Sequence, residues 1–528
     1  MRLQNRFINL ALLVILVCLI QNVYSQEKSW IFFTDKKGVE FNPYEYFDDK
    51  TIERRNQQGI SLIQYTDLPV NTNYLDKVTK ITGNTVSVSR WLNAAIVNCS
   101  KSERKQLNKI PCVDKIQPVT KRDVQLCYDT VLTTENKDVL HRQLSRFGDS
   151  LFTEHGYTGR GIRIAVLDAG FPAVNTSPFF QHLFEDNRII ETYDFVDDEQ
   201  DVYSHSSHGT MVLSCIAGKY KDKQTGLATG AEFLLGRTEK AFTETIAEEE
   251  NWFEAMEWAD KHGANIISSS LGYSYHRYFK QEMDGKTSLV SKAANIAASK
   301  GMLVVASMGN EGTSRWQVLV TPADADSVLS VGGISPFSGI HTPFSSFGPT
   351  SDKRLKPNVT AFGHVVAAGK DELATTQGTS FSAPLVTGFA ACVWQKYPEW
   401  NSISLKKEIS NSGDLFPYFD YAHGYGVPQA SYFFDGKAET DTIVNFSLDI
   451  AINDDEIKIN MPEKDFEQLD SNYKQLFYHV ENSDNYLQIF GVAEVKAGET
   501  LKIKNKAKYS GSAFRTYFKG QVSEQKIP

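Results

Sequence analysis

Residues 378–384 read Gly-Thr-Ser-Phe-Ser-Ala-Pro and run directly into a helical pattern of apolar residues. A serine in the first turn of a helix lies at the positive end of the helix dipole, where backbone N–H groups lack intrahelical acceptors. Negative charge on a carbonyl oxygen attacked by Ser380 would be stabilised there. Ser380 is therefore a candidate nucleophile, and the alternative is a serine that only caps the helix.

Three further polar residues follow runs that are typical of strands or open helical patterns. Asp168 follows the β-branched run 162–167, His208 opens a second helical pattern, and Asn310 lies between glycines after another β run. Each has a structural alternative, since Asp and Asn are common turn residues and a histidine can be an ordinary structural side chain. Together with Ser380 they supply an orienting carboxylate, a base, an amide donor and a nucleophile.

The middle of the chain alternates strand-like and helical patterns from residue 161 onward. Such alternation predicts an α/β domain, assigned to residues 146–440, with a parallel sheet covered by helices on both faces. Catalytic groups in open α/β sheets gather at the carboxyl ends of the strands. The four side chains are therefore expected to meet at one edge of this sheet.

These motifs resemble those of the subtilisin-like serine peptidases (subtilases), whose catalytic residues follow the chain order Asp, His, Ser. The likeness covers about residues 155–430. It includes Ser268-Ser-Ser-Leu-Gly272, similar to the family's strand that pairs with the substrate backbone. It also includes residues 355–363, similar to the family's Lys-Pro-Asp-Val-Ala-Ala-Pro-Gly segment, with Asn358 and Phe362 altered.

The resemblance implies a serine endopeptidase that hydrolyses polypeptide substrates by acyl transfer. Ser380 would attack the scissile carbonyl, His208 would transfer the proton, and Asp168 would orient His208. Asn310 and the Ser380 N–H would stabilise the oxyanion. Catalysis by these groups requires no cofactor, and a structural calcium ion is left open because no Asp-rich loop identifies its ligands.

Two stretches are implied as substrate-binding by the same resemblance. They comprise Ser270, Leu271, Gly272, Ala306, Met308 and Gly309. Met308 and its apolar neighbours suggest a first specificity pocket for a large apolar side chain. The depth of that pocket depends on residues 320–322.

Residues 26–125 form a separate pattern of β-α-β-β-α-β order with one extra helix. This order predicts a small α/β domain that resembles the subtilase propeptide, which occupies the cleft as an intramolecular inhibitor until it is cut off. The alternative is a permanent accessory domain. Residues 126–145 are interpreted as a linker, and cleavage is expected within residues 120–141.

Residues 441–528 read as short β runs only, which predicts a C-terminal β-sandwich-like domain. At the other end, residues 1–25 combine Arg2 and Arg6 with an apolar run at 10–20, which is typical of a secretory signal peptide. The run is too short to span a bilayer, and no later segment is apolar enough. We therefore expect a secreted or periplasmic protein without a membrane span once the signal is removed.

The chain has a formal net charge of −9, which argues against an electrostatic nucleic-acid binder. It contains 6 cysteines, of which Cys18 lies in the signal segment. Among Cys99, Cys112 and Cys127 one pair is close enough in sequence to bridge. Cys215 and Cys392 lie in apolar helical patterns typical of buried free thiols.

A catalytically silent binding protein on a subtilase scaffold is the alternative function. Its only support comes from altered motif positions, namely Ala169 after Asp168 and Asn358 in residues 355–363. An α/β-hydrolase esterase is excluded because Gly-x-Ser-x-Gly is absent around Ser380 and the order of the catalytic residues differs.

Overall fold

The computed structural model describes residues 26–119, 137–240, 246–275, 277–370, 372–436, 448–463 and 475–528. The chain divides into two compact units, one formed by Met1–Phe47 with Ser61–Arg122 and the other by Asp48–Ile60 with Asp123–Pro528. The predicted signal peptide lies outside the described residues. None of the helices within the described ranges is long and apolar enough to cross a bilayer.

The first unit is built on an antiparallel sheet of four strands in the order β2-β3-β1-β4. Local capping explains where its helices begin: Asn71 caps one helix, and Ser100 forms a capping box with Glu103 at the next. The elements of this part of the chain are β1 (Glu27–Phe33), α1 (Pro43–Tyr46), α2 (Asp49–Gln57), α3 (Thr72–Thr82), β2 (Ser87–Ser89), β3 (Ala94–Cys99), α4 (Lys101–Leu107) and β4 (Val113–Pro118). Helix α2 belongs to the second unit.

Two helices precede the central sheet of the second unit, α5 (Lys137–Ser145) and α6 (Asp149–Glu154). Residues 137–145 were predicted as linker, and the structure differs here because the helix has an apolar side. Val139 and Leu140 are buried against Val366, and the buried Gln143 side chain bonds the backbone at Val366. The first part of the predicted linker, up to residue 136, lies outside the described residues.

The central sheet has seven parallel strands in the order β13-β12-β11-β10-β5-β9-β6. Six of its strands are almost wholly buried, as expected when helices cover both faces, whereas the edge strand β6 is only half-buried. The elements in chain order are β5 (Arg163–Asp168), α7 (Gln181–Glu185), β6 (Ile189–Asp194), α8 (His208–Ala217), β7 (Lys219–Tyr220), β8 (Lys223–Gln224), β9 (Glu232–Arg237), α9 (Ile246–Lys261), β10 (Ile266–Ser269), α10 (Leu289–Ser299), β11 (Leu303–Ser307), β12 (Leu329–Ile334), β13 (Val359–Phe362), β14 (His364–Ala368), β15 (Leu373–Gln377), α11 (Thr379–Lys396), α12 (Ser402–Asn411) and α13 (Ala430–Asp435).

The C-terminal region consists of two antiparallel sheets, β16-β17-β20 and β19-β18-β21-β22. Their inner faces share one apolar core that includes Ile457, Ile459, Leu476, Val480 and Phe514. The strands are β16 (Asp449–Ile452), β17 (Glu456–Asn460), β18 (Gln475–Glu481), β19 (Leu487–Glu494), β20 (Thr500–Lys504), β21 (Ala513–Phe518) and β22 (Gln521–Lys526). The predicted fold class, a parallel α/β domain between a small α/β domain and a β domain, is confirmed.

The described cysteines are free and buried: Cys99, Cys112, Cys215 and Cys392. A bridge between Cys99 and Cys112 is therefore not formed, and Cys127 lies outside the described residues. Burial raises the pKa of the Cys215 thiol to about 12, which makes that group an inert part of the core.

Candidate active site

Asp168 is the last residue of β5 and is fully buried at the carboxyl edge of the sheet. Its carboxylate Oδ1 accepts a bond of 2.8 Å from the backbone N–H of Ala169. Both carboxylate oxygens face His208, at 2.8 and 3.0 Å from Nδ1. The carboxylate can therefore hold the imidazole with the proton on Nδ1, which leaves Nε2 as the base.

His208 is the first residue of α8, and two glycines, Gly209 after it and Gly170 after β5, allow it to lie beside Asp168. A Cβ on Gly209 would lie 2.9 Å from Asp168 Cβ and would overlap the carbonyl oxygen of Gly170. Gly170 itself has φ +138°, which disfavours any other residue. The imidazole keeps 15% exposure and its ring centroid is 5.4 Å from that of Phe381. It is thus fixed next to the chain segment that carries Ser380.

Ser380 is the second residue of the long helix α11, which packs against α8 and against strands β10 to β13. Gly378, at the N-cap, has φ +139°, and this conformation allows β15 to turn sharply into the helix. The Ser380 hydroxyl is 3.3 Å from the carbonyl oxygen of Ser270. In return, the Ser270 hydroxyl donates to the Ser380 carbonyl at 2.7 Å. The predicted nucleophile and the predicted substrate-binding strand are therefore joined directly.

Asn310 follows β11 and is oriented by Thr379, the residue before Ser380. The Thr379 backbone N–H and hydroxyl donate to Asn310 Oδ1 at 2.9 and 3.0 Å. Because the acceptor end of the amide is engaged, its NH₂ end remains to donate to a substrate oxygen. Sequence reasoning did not single out Thr379, although its position beside Ser380 was the available signal.

The two predicted substrate-binding stretches meet at Val320. A Cβ on Gly272 would overlap Val320 Cγ2, and a Cβ on Gly309 would lie 2.7 Å from Val320 Cγ1. The isopropyl group, 3% exposed, thus lies between two glycines of the predicted stretches. Met308 is instead fully buried in a separate cluster with Leu319 and Ala323. Leu271 and Ala306 are buried as well.

The altered residue Asn358 contacts a buried lysine. Its Oδ1 is 3.2 Å from Lys356 Nζ and also accepts bonds of 3.0 Å from the backbone N–H and hydroxyl of Ser330. Desolvation holds the pKa of Lys356 well below its usual value. These contacts are structural, and they do not involve the side chains at the carboxyl edge of the sheet.

Among the described residues, one group has the composition to hold a metal ion: Asp194, Asp197 and His205. The Arg237 guanidinium donates to both carboxylates, at 2.5 and 2.6 Å. The two negative charges therefore already have a cationic partner, and the group is explained as an ion-pair network. The structural calcium ion that the sequence left open is not assigned to this group.

Comparison with known proteins assigns this arrangement to a family. Residues 159–426 match the Subtilase family, and residues 28–134 match the propeptide domain of peptidase family S8 from Bacteroidota. The chain belongs to the subtilase family. It is a serine-type endopeptidase of the subtilisin kind, preceded by a propeptide domain.

The chain is similar to several curated relatives over its central part. Subtilisin BL from Lederbergia lenta is 29% identical over 262 residues, which are 49% of this chain and 85% of that protein. A thermophilic serine proteinase from Bacillus sp. (strain AK1) is 26% identical over 391 residues, 69% of this chain and 85% of that protein. Fervidolysin from Fervidobacterium pennivorans, described as a keratinolytic enzyme related to subtilisin, has a similar fold, with TM-score 0.54 and 17% identity over 93% of this chain and 70% of that one.

Proposed function

We propose that this chain is an exported endopeptidase that cleaves peptide bonds through Asp168, His208 and Ser380 and an acyl-enzyme intermediate. The observation that carries the proposal is the pair of short contacts between His208 Nδ1 and the buried Asp168 carboxylate. A carboxylate in that position stabilises the imidazolium that forms when His208 takes a proton. The silent-scaffold alternative gains nothing from Ala169, because only its backbone N–H meets Asp168.

The reaction follows from these groups. Ser380 Oγ attacks the substrate carbonyl while His208 Nε2 accepts its proton, and the carbonyl oxygen becomes an oxyanion. The Asn310 amide and the Ser380 backbone N–H donate to that oxyanion. His208 then protonates the leaving amine, and a water molecule hydrolyses the acyl-enzyme by the same steps. Nucleophile, base and donors all come from the chain, so the proposed reaction uses no cofactor.

The propeptide domain is proposed to act as an intramolecular inhibitor. Its inhibition would keep the enzyme in an inactive form. Export is proposed from the signal pattern of residues 1–25. A permanent accessory role for the front domain remains the alternative.

We further propose that the first specificity pocket accepts small side chains, in place of the large apolar ones expected from Met308. The support is the position of Val320 between Gly272 and Gly309. A valine there occupies space that a large substrate side chain would need. The side chain preceding the cut, called P1 below, should then be of the size of alanine.

A fluorophosphonate probe tests the proposed nucleophile, because it reacts only with an activated serine. Labelling is expected for the parent protein and should be lost in Ser380→Ala. Ser382→Ala is the matched control, since Ser382 lies in the same helix and its hydroxyl only bonds the Phe362 carbonyl. Labelling that survives in Ser380→Ala, or no labelling of a folded and processed parent, would refute the mechanism.

A further inference from the structure

Residues Asp48–Ile60, here called the anchor segment, fall within the region that matches the propeptide domain. They nevertheless belong to the second unit, with the catalytic side chains, whereas the residues on both sides belong to the first. The segment contains helix α2, on which Thr51, Arg54 and Arg55 are buried. Burial of three polar side chains on one short helix is costly unless the elements packed against the helix provide hydrogen-bond and ion-pair partners.

The anchor segment caps the C-terminal end of α9. Carbonyl groups in the last turn of a helix have no intrahelical donors. Here the backbone N–H of Asp48 donates to the Lys261 carbonyl at 3.0 Å, and the Thr51 hydroxyl donates to the Asp260 carbonyl at 2.6 Å. Arg54 donates to the carbonyl of Ala264, just beyond the helix. Donors from the segment thus satisfy the end of a helix in the catalytic unit.

An ion-pair cluster lies at the same place. Asp260 pairs through its two carboxylate oxygens with Arg54 and with Arg55, the latter at 2.8 Å. The exposed fractions of these three side chains are 2% or less. The two guanidinium groups also lie at the negative end of the α9 dipole, which favours cations. Removal of one partner from such a cluster leaves buried charge without compensation.

Contacts extend along the whole segment. Lys50 Nζ donates to the Gly161 carbonyl at 2.7 Å, and the Gln58 amide donates to the Gly301 carbonyl at 2.9 Å. A Cβ on Gly263 would lie 2.7 Å from Lys50 Cβ. The receiving surface therefore fits the segment closely at both ends of α2.

This surface lies at the edge of the sheet opposite the catalytic side chains. The segment contacts Gly161 and Arg163 at the start of β5, and Gly301 just before β11. Asp168 ends β5. A six-residue strand that rises about 3.3 Å per residue separates the two edges by roughly 17–20 Å.

We propose that the anchor segment holds the N-terminal region on the catalytic unit at a surface remote from Ser380. The N-terminal region then stays bound after the chain is cut between residues 119 and 137, whether or not its end occupies the cleft. Removal of its end from the cleft and release of the region are thus separate events. The anchoring does not require the enzyme to be active.

The test uses the full chain with Ser380→Ala, so that its outcome is independent of the proposed catalysis. A recognition site for a sequence-specific protease is placed within residues 120–136, the protein is nicked, and the fragments are separated by gel filtration at micromolar concentration. Asp260→Asn removes the carboxylate from the cluster. Glu53→Gln is the matched control, because it makes the same chemical change on the exposed side of α2.

The N-terminal fragment should elute with the catalytic unit in the nicked parent and in Glu53→Gln. Asp260→Asn should raise the dissociation constant of the N-terminal fragment by roughly a hundredfold or more, so that the fragment elutes separately. If Asp260→Asn does not fold, Thr51→Val decides, because it keeps the shape and removes the hydroxyl that donates to the Asp260 and Lys261 carbonyls at the end of α9. The proposal would be overturned if the N-terminal fragment of the parent dissociated. It would also be overturned if the folded variants bound the fragment as tightly as Glu53→Gln does.

Discussion

Asn310 shows how a single residue at the site is positioned. Its amide oxygen accepts two bonds from Thr379, so the orientation of its NH₂ group depends on the residue next to Ser380, the proposed nucleophile. A donor held in this way matters most when negative charge develops on the substrate.

Asn310→Ala should therefore lower kcat by about 10²–10³ with little change in KM. Steady-state kinetics with a peptide substrate measure both values. Thr379→Val, which removes only the hydroxyl donor, should cause a smaller loss in kcat. An increase confined to KM would make Asn310 a binding residue.

Val320 decides the size of the first specificity pocket in our proposal. Val320→Gly should raise kcat/KM for a substrate with phenylalanine at P1, relative to alanine at P1, by roughly tenfold or more. Paired chromogenic peptides measure the ratio. Val318→Ala is the control. Val318 lies on the same segment, but the atoms nearest to Gly272 and Gly309 belong to other residues, Val320 first among them. A preference for phenylalanine in the parent would contradict the proposal.

Asn358→Asp should stabilise the protein and flatten its pH dependence. The pKa of Lys356 is lowered by burial, so below its usual pKa the unfolded chain binds more protons, and stability rises with pH. A carboxylate at residue 358 would favour the protonated lysine at 3.2 Å. Thermal unfolding between pH 6 and 9 measures this effect.

Asn401→Asp is the matched control for this change, because Asn401 is exposed and its side-chain oxygen accepts from the Ser404 N–H at the start of α12. It should leave the slope of melting temperature against pH unchanged. An Asn358→Asp protein that is less stable than the parent at neutral pH would show that the carboxylate costs more in desolvation than it gains from the lysine.

At the scale of elements, α5 limits where processing can occur. Val139, Leu140 and Gln143 are buried in contacts with the catalytic unit. A peptidase binds its substrate as an extended strand, and α5 would have to unfold to be cut. The window expected from the sequence, residues 120–141, is therefore narrowed to positions before Lys137.

N-terminal sequencing of the active enzyme should show a terminus between residues 120 and 137. Ser380→Ala should accumulate as a chain that begins near Gln26, because the cut is expected to be intramolecular. A terminus within α5 or after it, that is beyond Lys137, would contradict the role of α5. An active parent enzyme that begins at Gln26 would make the front domain a permanent accessory.

At the scale of the whole second unit, the C-terminal sheets contact the catalytic domain through a loop after α12. Tyr418 and Leu415 cluster with Phe477 and Tyr517 of the β domain. His479 of β18 stacks on Tyr418 at 4.8 Å, and its Nδ1 lies 2.7 Å from the Phe419 carbonyl. Burial lowers the pKa of His479 to about 4.

Acid should weaken this contact. Below about pH 6.5 the unfolded chain binds a proton that folded His479 excludes, so stability falls as pH decreases towards 4. The loss at pH 5 should be on the order of 1–2 kcal/mol. Thermal unfolding at pH 7 and pH 5 measures it, and His479→Gln should reduce the difference. An equal difference in the variant would assign the acid sensitivity to other groups, such as His341, whose pKa burial lowers to about 3.

Short stretches of sequence were enough to predict the fold class and to select the side chains of the candidate site. The capping box of Ser100 and Glu103, the apolar strands and the Gly-Thr-Ser-Phe-Ser-Ala-Pro stretch depend on neighbours within a few residues, and such patterns can be interpreted without a structure. The expected convergence of Asp168 and His208 followed from a general rule about parallel sheets.

Only the tertiary structure decided which distant residues touch. Nothing local to Val320 indicates that it lies between Gly272 and Gly309, and nothing local to Arg54 and Arg55 indicates a carboxylate more than two hundred positions away. The apolar side of α5 was likewise invisible until Val366 was placed beside it. Side-chain contacts of this kind depend on the path of the whole chain, because packing brings together residues whose own sequence neighbours carry no signal of the partner.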